Sequence, residues 1–87
     1  PLYELQARAL TDQAAAEECA RFYAANAPAA YDSHYGARFQ QRLVVAYLTG
    51  LRGDRQRTEQ SNYEAPLTAA WREGYSLRAL LVKVERS

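Results

Sequence analysis

Two short stretches decide the predicted fold: AYLTGLRG at positions 46–53 and WREGY at positions 71–75. In the first, Tyr47, Gly50 and Gly53 stand three residues apart, on a segment whose apolar residues recur with the period of a helix. A glycine inside a helix costs about 1 kcal/mol relative to alanine. Gly50 therefore predicts a close contact with another element, whereas Gly53 is predicted to close the helix just past its last turn.

The second stretch is predicted to supply that contact from a neighbouring helix. Trp71 is the large group expected to fill the gap at Gly50. Gly74, three residues after Trp71, is expected to receive the ring of Tyr47 in the same way, with Tyr75 beside it. The pattern thus predicts an interlocked helix pair in which each glycine accommodates an aromatic ring of the other helix.

Two strands and three helices are predicted along the chain. The alternation of LYELQARAL, residues 2–10, is typical of a half-buried strand, and a second strand is predicted over 76–86. Helices are expected between them over residues 13–25, about 35–52 and 65–75. The first of these helices begins after Thr11 and Asp12, which can cap it, and it ends at Asn26.

The predicted fold is therefore α+β, a single small domain over residues 1–87 in the order strand, helix, helix, helix, strand. A strand-and-helix frame over 1–34 precedes the helix pair over 35–79, and the C-terminal strand over 76–86 is expected to pair with the first strand. Two strands alone make a marginal sheet. Extension of the sheet across a homodimer is expected to satisfy its open edges.

Composition limits the class of protein. A chain of 87 residues with one cysteine, Cys19, forms no internal disulfide and suits a reducing compartment. Its first residues, PLYELQARAL, lack the basic start and the apolar run of a signal peptide. No apolar stretch approaches the length of a membrane span. We therefore expect a cytoplasmic protein that contacts no membrane.

The aromatic and glycine positions resemble those of the ribosome modulation factor family. The similarity covers residues 38–79 and rests on YLTGLRG at 47–53, a polar loop with Tyr63 near its end, and WREGY at 71–75. It implies a bacterial protein with a two-helix unit that binds RNA or the ribosome. This chain departs from the family in its near-neutral net charge of +1 and in Ser-Asn-Tyr at 61–63, where members often carry Cys-Pro-Tyr.

The middle of the chain is its basic region. Residues 35–60 carry five basic and two acidic side chains, whereas residues 1–34 carry two basic and five acidic ones. Arginine forks suit phosphates or carboxylates, and neighbouring tyrosines such as Tyr35 can stack on bases. The predicted binding residues are Arg38, Arg42, Arg52, Arg55, Arg57 and Tyr63. The same residues equally suit an acidic protein surface, or a solvated face that stabilises a helix end.

No catalytic or metal-binding constellation is predicted. His34 lies beside Asp32 and Ser33, but catalytic partners meet through the fold rather than as sequence neighbours, so a capping or surface role suits His34 better. Cys19 falls on an apolar helix stripe, where free cysteine behaves as a small buried hydrophobe. The glycines of 46–53 end a helix rather than begin one, so a phosphate cradle is not expected.

These observations favour recognition over chemistry. We expect a non-enzymatic regulatory protein, without cofactor, metal or small-molecule substrate, that occupies a surface of a ribosome or another ribonucleoprotein through its Arg/Tyr-rich loop. The alternative is a protein-directed inhibitor from a phage or mobile element, such as an anti-defence protein, that binds one host protein complex. Binding that weakens steeply with salt would favour RNA as the target.

Overall fold

The computed structural model describes residues 2–28, 31, 35–36, 38–55 and 65–86, and these residues form helices and connections without a strand. Within the described ranges four α-helices have defined bounds: α1, Leu2–Ala7; α2, Gln13–Ala25; α3, Phe39–Leu51; and α4, Ala65–Arg86. α3 packs most extensively against α4, and α2 covers α3 from another side, with α1 against α2. The predicted α+β fold is therefore wrong, and so is the sheet that was to extend across a dimer.

The first predicted strand is helix α1 and the turn that follows it. Tyr3, which the alternating pattern placed on the buried face, is 82% exposed. Leu2 and Leu5 pack against the core, and Ala9 is buried within it. The spacing of these three residues follows helical turns, so the period of a helix and that of a strand were both present in this short segment.

The second predicted strand, over 76–86, is the continuation of α4, which runs for 22 residues instead of ending near residue 75. Leu77 and Leu81, one turn apart, pack against the core. Leucine, alanine, arginine, lysine and glutamate are good helix formers, and no strand is left in the described residues to pair with this segment. Continuing the helix satisfies the backbone hydrogen bonds without a partner.

The prediction for α2 is confirmed at both ends. The carboxylate of Asp12 accepts hydrogen bonds from the backbone amides of Ala14 at 3.0 Å and Ala15 at 3.3 Å, which satisfies free donors of the first turn. Asn26 ends the helix. The buried face of α2 consists of small side chains, namely Ala15, Ala16, Cys19, Ala20 and Ala24. Small residues on this face let α2 lie close to α3.

The helix pair α3–α4 is held together by two reciprocal glycine contacts. A Cβ at Gly50 would overlap the carbonyl oxygen of Trp71 and lie 2.9 Å from the amide nitrogen of Tyr75. A Cβ at Gly74 would overlap the carbonyl oxygen of Tyr47 and lie 2.9 Å from the amide nitrogen of Leu51. Each glycine therefore receives the backbone of the other helix, not the aromatic ring that the sequence predicted. This is the arrangement of the Cα–H···O contacts that recur where helices cross closely.

α3 ends at Leu51 in a Schellman motif that requires Gly53. The amide of Gly53 donates to the carbonyl of Gly50 at 2.9 Å, and the amide of Asp54 donates to the carbonyl of Thr49 at 3.1 Å. Gly53 has φ of +77°, a conformation that side chains with a Cβ rarely adopt. The predicted role of Gly53 in ending this helix is therefore confirmed.

The core is divided between the two ends of the helix pair. Phe39 and Leu43, from the first half of α3, share one cluster with Leu67 and Ala70, from the first half of α4. Tyr47 and Leu51 belong to a second cluster, together with buried residues of α2, and Leu77 and Leu81 pack on it. The first half of α3 therefore packs against the first half of α4, and the two helices run in the same general direction.

Tyr47 is the one buried tyrosine of the second cluster, and its ring lies 5.4 Å from that of Tyr23. Burial, followed by the nearby Cys19, Glu73 and Tyr23, raises the pKa of Tyr47 to about 12. None of the helices in the described part of the chain combines the length and the apolar character needed to cross a membrane.

Gly74→Ala tests the close crossing. The added methyl group would collide with backbone atoms of α3, which cannot rotate away, so we expect a loss of about 1–3 kcal/mol in the free energy of unfolding. The loss is expected although alanine is intrinsically about 1 kcal/mol better than glycine in a helix. Urea unfolding followed by circular dichroism measures it, with Ser76→Ala on the exposed side of α4 as the control. A Gly74→Ala variant as stable as the parent would contradict the crossing.

Tyr47→Phe tests the burial of the hydroxyl. In the unfolded chain Tyr47 ionises near its ordinary pKa of 10.0, but in the folded chain near 12. The neutral Tyr47 hydroxyl therefore makes its full contribution to the free energy of unfolding below pH 10. This contribution falls as the pH rises toward 12, by an amount on the order of 2 kcal/mol. We expect urea midpoints to fall less between about pH 9 and about pH 11 in Tyr47→Phe than in the parent. In the control variant Tyr3→Phe, at an exposed position, the urea midpoint should change with pH as it does in the parent.

Candidate functional site at the end of α3

The predicted basic residues fall at opposite ends of α3. Arg38 immediately precedes the helix and Arg42 lies in its first turn, whereas Arg52 and Arg55 follow its last turn. All four side chains are exposed. At 1.5 Å per residue, the two groups are roughly 20 Å apart. Two further predicted residues, Arg57 and Tyr63, lie outside the residues that the structure describes. The described part of the set therefore forms two separate groups, not one surface.

The group at the beginning of α3 is joined to an aromatic cluster. The guanidinium carbon of Arg42 lies 5.9 Å from the ring centroid of Phe39, within cation–π range. The Phe39 ring is buried, stacks on Tyr35 at 4.4 Å and meets the edge of Tyr31 at 5.8 Å. Tyr35 is thus part of the packing around Phe39. We interpret this end of the helix as structural.

The segment that holds the group at the other end contacts an aromatic pair of α4, Trp71 and Tyr75. The indole nitrogen of Trp71 donates a hydrogen bond of 2.8 Å to the backbone carbonyl of Asp54, just after α3. The Trp71 ring stacks on Tyr75, with centroids 5.0 Å apart and planes 21° from parallel. Tyr75 is 46% exposed. Trp71 therefore ties the chain beyond α3 to α4 and supports one side of the Tyr75 ring, instead of filling the gap at Gly50.

Arg78, which is not among the predicted binding residues, completes this end of α3. Its guanidinium donates to the carbonyl of Leu51 at 3.2 Å and stands directly against Gly53. Arg78 lies seven residues, two helical turns, after Trp71, so both side chains project from the same side of α4. That spacing is a signal in the sequence, but the target of Arg78 is a backbone carbonyl that only the fold brings within reach.

We call the residues gathered here the arginine–aromatic cluster: Arg52, Asp54, Arg55, Trp71, Tyr75 and Arg78. Within it, Arg52 and Asp54 form an exposed ion pair at 3.2 Å. Beside it lies an open cavity of about 400 Å³, lined on its polar side by Arg52, Asp54 and Arg78 together with Gln13 of α2. The cluster holds three arginines and one carboxylate, so its formal charge is +2.

The end of a helix ordinarily disfavours anions because its last carbonyls carry partial negative charge. Here those carbonyls are already occupied. The Schellman bonds use those of Thr49 and Gly50, and Arg78 uses that of Leu51. Arg52 and Arg55, just after the last turn, are exposed, and Arg52 pairs with Asp54 at 3.2 Å. The site can therefore present arginine side chains and an aromatic face to an anionic partner.

Of the residues weighed for chemistry, Cys19 lies in the described part of the chain. His34, Asp32 and Ser33 lie outside the described residues. Cys19 is buried, and burial, followed by the charge of Glu18, raises the pKa of its thiol, which disfavours the nucleophilic thiolate. Among the residues that the structure describes, no three histidine, cysteine, aspartate or glutamate side chains are grouped so that they could hold a metal ion.

Comparisons of this chain with protein-family models, with curated proteins and with solved structures gave no match. The resemblance to the ribosome modulation factor family therefore stays a prediction from the motifs at 47–53 and 71–75. Any functional inference depends on the geometry of the site itself.

Arg78→Met tests whether Arg78 holds the site together. The variant keeps much of the side chain's length but leaves the partly buried carbonyl of Leu51 without its donor, so we expect a loss of roughly 1–3 kcal/mol in the free energy of unfolding. Arg52→Met is the matched control, because its ion pair is exposed and should contribute less than about 1 kcal/mol. Chemical denaturation of both variants makes the comparison. Equal stabilities would show that Arg78 does not secure the end of α3.

Proposed function

We propose that this protein is a small, non-enzymatic binding protein that occupies a surface of a larger ribonucleoprotein machine through the arginine–aromatic cluster. The observation that carries the proposal is the Trp71–Tyr75 stack, with Tyr75 exposed and Trp71 hydrogen-bonded to the segment that holds the exposed Arg52 and Arg55, at a helix end whose carbonyls are satisfied. A cytoplasmic location is part of the proposal, and the single free cysteine, Cys19, is compatible with it.

The cluster offers the two kinds of contact that single-stranded RNA requires. The outer face of Tyr75 can stack on a base, an interaction worth about 1–3 kcal/mol per base. Arg52 and Arg55 can form charge-assisted hydrogen bonds with the phosphates on either side of that base. Neither contact reads base identity, so we expect recognition of an accessible, unpaired segment more than of a particular sequence.

Rigidity favours binding at this site. Trp71, Arg78 and the Schellman bonds hold residues 51–54 against α4 before any partner arrives. A preformed surface loses less conformational entropy on association than a loop that orders on binding. The predicted loop residues are therefore only part of the proposed site, and its fixed part comes from α4.

A second candidate function, inhibition of a host protein complex, is favoured by a different observation. Leu80 and Val84, one turn apart on the last part of α4, are 57% and 62% exposed. Exposed apolar side chains on one helix face suit a protein groove better than a phosphate backbone. This candidate needs no RNA, and the experiment on the first candidate separates the two.

Charge reversal at the cluster, followed by capture from a bacterial lysate, tests the proposal. Tagged parent protein should recover ribonucleoprotein components that are lost after nuclease treatment or at raised salt, because release of counterions drives binding to RNA. The double variant Arg52→Glu/Arg55→Glu should lose this capture while keeping the parent's helical circular dichroism spectrum. Both side chains are exposed, so little stability depends on them.

The matched control is Arg38→Glu/Arg42→Glu, which changes the net charge equally at the opposite end of α3. It should retain most of the capture if the cluster is the site. If both double variants lose capture equally, net charge alone explains the loss, and the cluster is not the specific site. Nuclease-resistant recovery of one protein complex would favour the second candidate.

A further inference from the structure

A groove of about 320 Å³ lies on a different side of the molecule from the arginine–aromatic cluster. Residues of α1, α2 and α3 line it, and Glu73 is the contribution of α4. Glu73 is two residues from Trp71, which places it roughly 200° around α4 from the Trp71 side chain. The volume lies at the lower end of the range usual for ligand sites. Nothing in the proposed function uses this groove.

Four aromatic residues are among those that line the groove: Phe22, Tyr23, Tyr31 and Tyr47. Tyr23 and Tyr31 are partly buried, and Tyr47 is buried. Phe22 is 50% exposed, so half of its area is not used by the core. The faces of aromatic rings carry negative electrostatic potential and attract cations. The groove therefore combines apolar surface with an electrostatic preference for a positively charged group.

The charge of the groove also favours a cation. Among the described residues that line it, Glu73 is the one charged residue, and none of them is a lysine or an arginine. Its carboxylate acts on the two tyrosine hydroxyls: burial comes first among the causes that raise the pKa of Tyr23 and of Tyr47, and Glu73 contributes to both. Those hydroxyls thus stay protonated at neutral pH and remain available as hydrogen-bond donors or acceptors.

We propose that this groove binds a guanidinium group, presented by an arginine side chain of a partner protein. A guanidinium is planar and can stack on a tyrosine ring, and its fork matches the two oxygens of a carboxylate such as that of Glu73. The methylene stem of arginine suits the apolar wall near Phe22. The charge complementarity of Glu73 and the tyrosine rings with this cation carries the assignment.

The proposal concerns a partner's protein component and stands independently of the RNA contact at the arginine–aromatic cluster. A partner that contains both RNA and basic protein would offer one ligand for each side of the molecule. Since the test below contains no RNA, its failure leaves the proposed function as it was, and failure of the RNA capture leaves the groove proposal as it was.

Titration with small ligands tests the groove directly. N-acetyl-arginine amide is the probe, and N-acetyl-citrulline amide is its neutral counterpart of nearly equal shape. Two-dimensional NMR of the tyrosine ring carbons should show saturable shifts for Tyr23, Tyr31 and Tyr47 with the arginine probe, and at least tenfold weaker binding of citrulline. N-acetyl-lysine amide should fall between them, because an ammonium cannot pair with a carboxylate in the same forked geometry.

Glu73→Gln should weaken binding of the arginine probe about tenfold or more, as expected for the loss of a charge-assisted hydrogen bond. Glu85→Gln, with the same change of charge on an exposed part of α4 away from the groove, should bind as the parent does. Circular dichroism confirms that both variants keep the fold. Equal binding of citrulline, an unchanged affinity in Glu73→Gln, or no tyrosine shifts at the highest soluble probe concentration would each overturn the proposal.

Discussion

At the crossing of α3 and α4, each helix backbone occupies the space that a Cβ of the other would need. The contact is reciprocal: Gly50 lies against the Trp71 carbonyl, and Gly74 lies against the Tyr47 carbonyl. The remaining packing follows from this approach. It brings both halves of α4 onto the core clusters of α3, and it places Trp71 and Arg78 within hydrogen-bond distance of the chain just after α3. A wider crossing would lose all of these contacts together.

The crossing also explains why the two candidate surfaces differ in charge. Trp71, Tyr75 and Arg78 lie on one side of α4, near the end of α3. There Arg78 donates a hydrogen bond to the carbonyl of Leu51. Another side carries Glu73 to a groove walled by tyrosines of α2 and α3 and the segment between them. A single helix thus contributes to both surfaces: Trp71, Tyr75 and Arg78 to the arginine–aromatic cluster, and Glu73 to the groove.

Local sequence signals predicted several features correctly. Asp12 and Asn26 bound α2 because capping and termination depend on neighbouring residues alone, and Gly53 ends α3 because only its left-handed backbone completes the Schellman motif. The strands at the two ends were wrong for a related reason. Over fewer than a dozen residues, alternation and helical spacing coexist, and burial decides between them. Tyr3 is exposed while Leu2 and Leu5 pack inward, which local pattern alone does not reveal.

The sequence by itself determined the bounds of α2, the approximate position of α3 and the start of α4, that two glycines mark a close contact between α3 and α4, and that one cysteine leaves no internal disulfide. Only the tertiary structure decided what occupies the glycine gaps, since backbone carbonyls and aromatic rings leave the same sequence signature. It also decided which arginines act together. Arg52 and Arg78 are far apart in the chain but meet at the end of α3, whereas Arg38 and Arg52 belong to one helix segment and lie at its opposite ends. Proximity along the chain does not measure distance across a helix pair.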